Sequence, residues 1–165
     1  MQYEIIDNAL TEADFEHIES QLTSSYFPWF YGEQVALPFK EVKSNIPHFY
    51  MAHLMYQAYQ PSSQYFSLTQ PILRRIKAQA IIRIKCNLYQ ATPEIIEHGM
   101  HTDFDFPHKG ALFYINSNDG YTLLEDGTKI KSVKNRLLLF DSSRPHSSTT
   151  CTNTASRMNI NINYY

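Results

Sequence analysis

A metal ion could be held by three side chains of this sequence. His101-Thr102-Asp103 sets an imidazole and a carboxylate two residues apart, and on a strand residues i and i+2 share a face. His146, far downstream, supplies a second imidazole. Two nitrogens and one oxygen on one side of an ion leave its other positions open, the facial arrangement of non-haem Fe(II) oxygen chemistry. The His-x-Asp spacing is weak alone, because these residue types meet that way by chance in a chain of this composition. Arg157, eleven residues after His146, adds context. An inward-facing guanidinium needs an anion, since an unpaired buried charge is costly, and its planar fork suits a carboxylate. That anion is either an acid of the chain, in a structural salt bridge, or the distal carboxylate of a dicarboxylic ligand whose other end chelates the ion.

These groups need a rigid frame. From residue 80 onward the apolar period is two. In Ile81–Tyr89, positions 82, 84, 86 and 88 are apolar and Arg83, Lys85, Asn87 and Tyr89 lie on the other face. The last strand repeats this, with Met158, Ile160, Ile162 and Tyr164 opposed to Arg157, Asn159, Asn161 and Asn163. Short strands are expected between them at Ala111–Asn116, Tyr121–Leu124, Lys129–Val133 and Arg136–Phe140, with a turn at Glu125-Asp126-Gly127. The polar faces either meet water or line the inside of an open barrel. Residues 1–79 read as helical. Thr11 caps a helix carrying Phe15, Ile18 and Leu22. A second helix is expected from His48 to Tyr59 and a third from Pro71 to Ala78. The aromatics Tyr26, Phe27, Trp29, Phe30 and Tyr31 between the first two form a plug or a lid.

The chain has 165 residues, the size of one domain spanning 1–165, with 1–79 as helical support and 80–165 as core. At 43% apolar and 14% aromatic it can bury a core. A net charge of −2 argues against a broad basic surface, so nucleic acid is not an expected partner. No apolar run is long enough to span a bilayer, and the first ten residues do not read as a signal peptide. Two cysteines make no disulfide scaffold and favour a reducing, cytoplasmic setting. Cys86 falls on an apolar face and reads as packing, while Cys151 reads as more exposed. His98 and His108 read as loop residues rather than ligands, and His17, His48 and His53 as surface or boundary residues. Arg83, Lys85 and Arg144 place positive charge near the barrel mouth or are solvated.

The stretches IRIKCNLYQ, EHGMHTDFD, ALFYINSNDGYTLL, KNRLLLFDSSRPHSSTT and SRMNININY resemble the prolyl 4-hydroxylase-like group of 2-oxoglutarate and Fe(II)-dependent dioxygenases. The resemblance covers residues 80–165. It implies a mainly β, α+β fold: a double-stranded β-helix (jelly-roll, cupin-like) barrel with N-terminal helices packed on one sheet. It implies that His101, Asp103 and His146 bind Fe(II). Arg157 would meet the distal carboxylate of 2-oxoglutarate, with Tyr114 and Tyr89 as further contacts. Asn159, Asn161 and Asn163 stand where the family carries smaller or apolar groups: either they form a satisfied polar ladder, or Asn159 and Asn161 touch cosubstrate or substrate together with Asn87. The implied activity is hydroxylation of a C–H bond with 2-oxoglutarate and O2, ascorbate serving as accessory reductant. The implied substrate is a prolyl or other amino-acid side chain in a peptide or protein, or a free amino acid. The loop Asn118-Asp119-Gly120-Tyr121-Thr122 departs from the family's pattern. A cupin-like module that holds a metal without oxidising anything would keep the barrel and the three ligands. It would leave Arg157 without a carboxylate to meet.

Overall fold

The computed structural model describes residues 3–33, 35 and 49–165. In chain order the elements are β1 (Glu4–Ile6), α1 (Glu12–Leu22), β2 (Phe30–Gly32), β3 (Tyr50–Gln57) and β4 (Gln60–Pro61). A 3-10 helix (Gln64–Thr69), α2 (Gln70–Ile76), β5 (Ile81–Gln90), β6 (Lys109–Tyr114) and β7 (Tyr121–Leu124) follow. The chain ends with β8 (Lys129–Lys131), β9 (Arg136–Asp141), β10 (His146–Ser148) and β11 (Ser156–Tyr164).

The strands form two antiparallel sheets, one in the order β1-β9-β6-β11-β5-β3-β2 with β4 on β3, the other β10-β7-β8. Among the described residues no named strand joins the two into a closed ring. The expected alternation is present in β5 and β11. Their register sets Arg157 beside Tyr89, Asn159 beside Asn87, Asn161 beside Lys85 and Asn163 beside Arg83. On the other side of β11, Asn159 faces Tyr114 and Asn161 faces Leu112. A row of polar side chains therefore runs along the middle of the large sheet, on the face turned to the small one.

The opposite face carries the main core. Ile84, Cys86, Phe113, Ile160 and Ile162 pack there against Phe15, Ile18 and Leu22 of α1 and Ile72 of α2. Thr11 Oγ1 accepts from the Asp14 N–H at 3.2 Å, which satisfies one orphan donor at the start of α1. Phe15 then meets Phe113 edge-on at 6.2 Å between ring centroids. The helices thus lie on one sheet as expected. A second cluster, Leu112, Tyr114, Leu138 and Phe140 with Leu124 and Ile130, fills the space between the sheets.

The helix expected at His48–Tyr59 is corrected: Tyr50–Gln57 is strand β3, paired with β5 and β2, and His48 lies outside the described residues. Met51, Leu54 and Met55 mimic helical spacing, a short-run ambiguity that only tertiary pairing resolves. In the strand it is His53 and Met55 that are buried, two residues apart. His53 is accordingly no surface residue. Its Nδ1 lies 2.6 Å from the Pro28 carbonyl oxygen and its Nε2 2.7 Å from Ser63 Oγ. Cys151 is also corrected: it is wholly buried, and its backbone bridges to Ala91. Cys86 is buried as expected, and burial pushes its thiol up. The aromatic segment divides. Phe27 is buried against Trp29 and Tyr65 as a plug, while Tyr26, Phe30 and Tyr31 are exposed. Among the described residues no helix is long and apolar enough to cross a membrane.

Candidate active site

The three candidate ligands arrive from two places. His146 opens β10, and His101 sits on an isolated antiparallel bridge opposite it, their backbones bonded in both directions at 2.9 Å. That pairing puts the imidazole rings side by side, 4.7 Å between centroids. Asp103 follows two residues on, its N–H held by the Ser142 carbonyl at 3.1 Å. One donor atom from each of the three lies within 4.8 Å of the others.

Both imidazoles are oriented by the backbone. His101 Nδ1 lies 3.1 Å from the Gly99 oxygen and His146 Nδ1 3.0 Å from the Arg144 oxygen. A carbonyl oxygen can only accept, so each Nδ1 carries a proton and Nε2 is the ring nitrogen left to face a metal. His146 Nε2 faces Asp103 Oδ2 at 3.8 Å. Burial pushes the His146 imidazole below its usual value, which keeps it neutral as a ligand must be. Two imidazole nitrogens oriented by carbonyl acceptors, together with one carboxylate, fit Fe(II).

Asp103 is held from the large sheet. Arg83 donates to its Oδ1 at 2.8 Å, and the amides of Asn163 and Asn161 donate to Oδ2 at 2.8 and 3.1 Å. Burial pushes this carboxyl up. His146, Arg83 and the two amides outweigh that and hold it down to about 2. Sequence reasoning missed Arg83 and Asn163 as partners of Asp103. The signal was there in part, since both fall on the inward face by period two.

Deeper in, Arg157 is wholly buried. Its Nε donates to Ser132 Oγ at 2.7 Å, and its terminal nitrogens to Thr122 Oγ1 at 3.0 Å and the Thr149 oxygen at 3.5 Å. Every one of these acceptors is neutral. Among the described residues no carboxylate is paired with it. Tyr89 and Tyr114 present their rings to the guanidinium at 5.4 and 5.7 Å. Tyr114 also shares a 2.8 Å hydrogen bond with Thr122. Burial pushes both phenols up, so they remain hydroxyls. The unusual loop explains how the arginine reaches this place. A Cβ on Gly120 would stand 2.6 Å from the Thr150 oxygen and 2.7 Å from Arg157 Cδ. Only glycine lets the side chain pass.

Between Arg157 and the metal triad lies a narrow cavity lined by Asn87, Tyr89, Thr122, His146, Asn159 and Asn161, among others. Asn87 donates to Asn159 at 3.0 Å, so the amide ladder is partly self-satisfied. The acceptor oxygens of Asn87, Asn161 and Asn163 are buried without a donor. His98 and His108 are buried, each bonded at 2.7 Å to a serine hydroxyl, Ser148 and Ser142 respectively. Arg144 is exposed and paired with Glu125.

No family model and no curated protein sequence matches the chain. Solved structures do. One is a prolyl hydroxylase from Trichoplax adhaerens in complex with a hypoxia inducible factor peptide fragment, at TM-score 0.71 and 19% identity over 99% of this chain and 83% of that one. Another is a 2OG-Fe(II) oxygenase family oxidoreductase from Burkholderia pseudomallei, at 0.67 and 12% over 98% and 84%. A third is the viral collagen prolyl hydroxylase of Paramecium Bursaria Chlorella virus-1 in its 2OG complex, at 0.64 and 11% over 99% and 94%. The fold is that of the 2OG-Fe(II) oxygenases. In this oxygenase fold the helices, the large sheet and the small sheet are all accounted for, since the matches span nearly the whole chain.

Proposed function

We propose that this protein is an Fe(II)- and 2-oxoglutarate-dependent dioxygenase that hydroxylates a C–H bond of an amino-acid side chain. The strands are read as a double-stranded β-helix in one domain. The observation that carries the proposal is Arg157, a wholly buried cation whose partners among the described residues are all neutral. A buried charge left unpaired costs several kcal/mol, on the order of what breaks a fold, so a carboxylate ligand is required to complete it.

His101, Asp103 and His146 would hold the metal. Arg157 would take the distal carboxylate of 2-oxoglutarate, with Tyr114 and Tyr89 packed against it. When bound, Fe(II) with 2-oxoglutarate and O2 supplies the oxidising power, converting the cosubstrate to succinate and CO2 while one oxygen atom enters a substrate C–H bond. The chain's own residues orient and exclude. The Nδ1–H bonds fix the imidazole lone pairs, Arg83 and the two amides fix the carboxylate, and the small sheet covers the cavity from water. A metal-only module is disfavoured by the same arginine, which such a module would have no use for. A peptide or amino-acid substrate is supported by structural neighbours that are prolyl hydroxylases, one with a peptide bound. Two free, buried cysteines fit a reducing, cytoplasmic setting.

The test is anaerobic addition of 2-oxoglutarate to the Fe(II)-loaded protein. A weak visible charge-transfer band is expected. Arg157→Met should weaken 2-oxoglutarate binding on the order of 100-fold while Fe(II) still binds. No band in the wild-type protein, or equal 2-oxoglutarate affinity in the variant, overturns the reading.

A further inference from the structure

A second cation stands on the same inward sheet face, beside the Asn87 and Asn161 that line the cavity. Lys85 shares the inward face of β5 with Arg83, Asn87 and Tyr89, and pairs across the sheet with Asn161. It is half-buried, and among the described residues no carboxylate is paired with it. Its Nζ lies 5.4 Å above the Tyr50 ring. Tyr50 stacks on Tyr89 at 6.1 Å, and Tyr89 in turn faces Arg157. Two cations therefore stand at opposite ends of a tyrosine pair. Arg83, the neighbour on the mouth side, is already committed to Asp103.

The groups around Lys85 describe its missing partner. Asn161, directly opposite, and Asn87, two residues on, each keep a buried acceptor oxygen with no donor. Burial, with Arg83 beside it, pushes the Lys85 ammonium down to about 8 despite the pull of Asp103. An arriving carboxylate would relieve that cost, and an N–H on the same molecule would satisfy an orphan amide oxygen.

We infer that the substrate carries a carboxylate next to an N–H donor, an acidic amino-acid unit whose carboxylate is gripped by Lys85 while Arg157 holds the cosubstrate. The inference rests on the oxygenase reading and adds the substrate's charge to it. Two cations on one inward face, neither paired with a carboxylate among the described residues, call for two anions. Cation–π contact with Tyr50 offsets only part of the desolvation of an ammonium and leaves its N–H donors free.

The test uses Mn(II), which is paramagnetic and does not turn over, in the full chain with 2-oxoglutarate bound. N-acetylated amino acids with a free carboxylate are compared with their primary amides by proton relaxation. Relaxation of the acids well above that of the amides is expected. Lys85→Met should weaken the acids' binding about tenfold or more, with partial rescue in Lys85→Arg. Equal relaxation of acids and amides, or of neither, overturns the inference. So does a Lys85→Met variant that loses 2-oxoglutarate as Arg157→Met does, because Lys85 would then serve the cosubstrate. If 2-oxoglutarate fails to bind the wild-type Mn(II) protein, the oxygenase reading itself falls, and this inference with it.

Discussion

Strand β11 buries both of its faces. Met158, Ile160, Ile162 and Tyr164 are buried toward the helices, and Arg157, Asn159, Asn161 and Asn163 are buried toward the second sheet. Burial therefore does not separate structure from chemistry here. Partnering does. On the apolar side every contact is complete within the chain, and Cys86, Phe113 and Ile160 close over α1 without polar atoms. On the polar side the acceptor oxygens of Asn161 and Asn163 are open, and among the described residues Arg157 has no anion. A face whose satisfaction is incomplete within the chain is one that expects something from outside it.

Three experiments break or sharpen this contrast. The largest effect is expected on the apolar side. Ile160→Ala should lose about 2–5 kcal/mol of stability, because it opens a cavity in a closed core, with the slope of a urea unfolding curve unchanged. A loss below 1 kcal/mol would show that this side is not what holds the fold.

Acid unfolding of the metal-free protein probes the polar side. The folded Asp103 carboxyl is depressed from 3.8 to about 2. A depressed acid binds fewer protons folded than unfolded, so its stability contribution is present above pH 4 and lost as pH falls through about 2. That shift corresponds to roughly 2 kcal/mol. Asp103→Asn should flatten this part of the curve, and an unchanged acid limb would refute the assignment.

The smallest effect is expected from Arg157→Met without ligand. Replacing an unpaired buried cation by an apolar side chain of similar length should leave stability within about 1 kcal/mol of wild type, or raise it. A loss comparable to that of Ile160→Ala would place Arg157 among the fold's own supports.

Part of the fold and site was legible early because it is local. The alternation in Ile81–Gln90 and Ser156–Tyr164 names two strands and sorts their faces without any knowledge of their neighbours. The helix α1 and its Thr11 cap are written in consecutive residues. Strand β3 was not legible, since Tyr50–Gln57 is a strand by virtue of β5 and β2 on either side. His53 and Cys151 were misjudged for the same reason: burial belongs to what folds over a residue, not to its neighbours in the chain.

What the sequence determined by itself is the identity of the ligating groups and the period that turns them inward, because side-chain chemistry and strand alternation are properties of the residues. The tertiary structure alone decided that Arg83, Asn161 and Asn163 close on Asp103, that Gly120 opens a path for Arg157, and that Lys85 stands opposite Asn161. Those are statements about which distant groups come within a few ångströms and which do not, and electrostatic and hydrogen-bond energies depend on that distance.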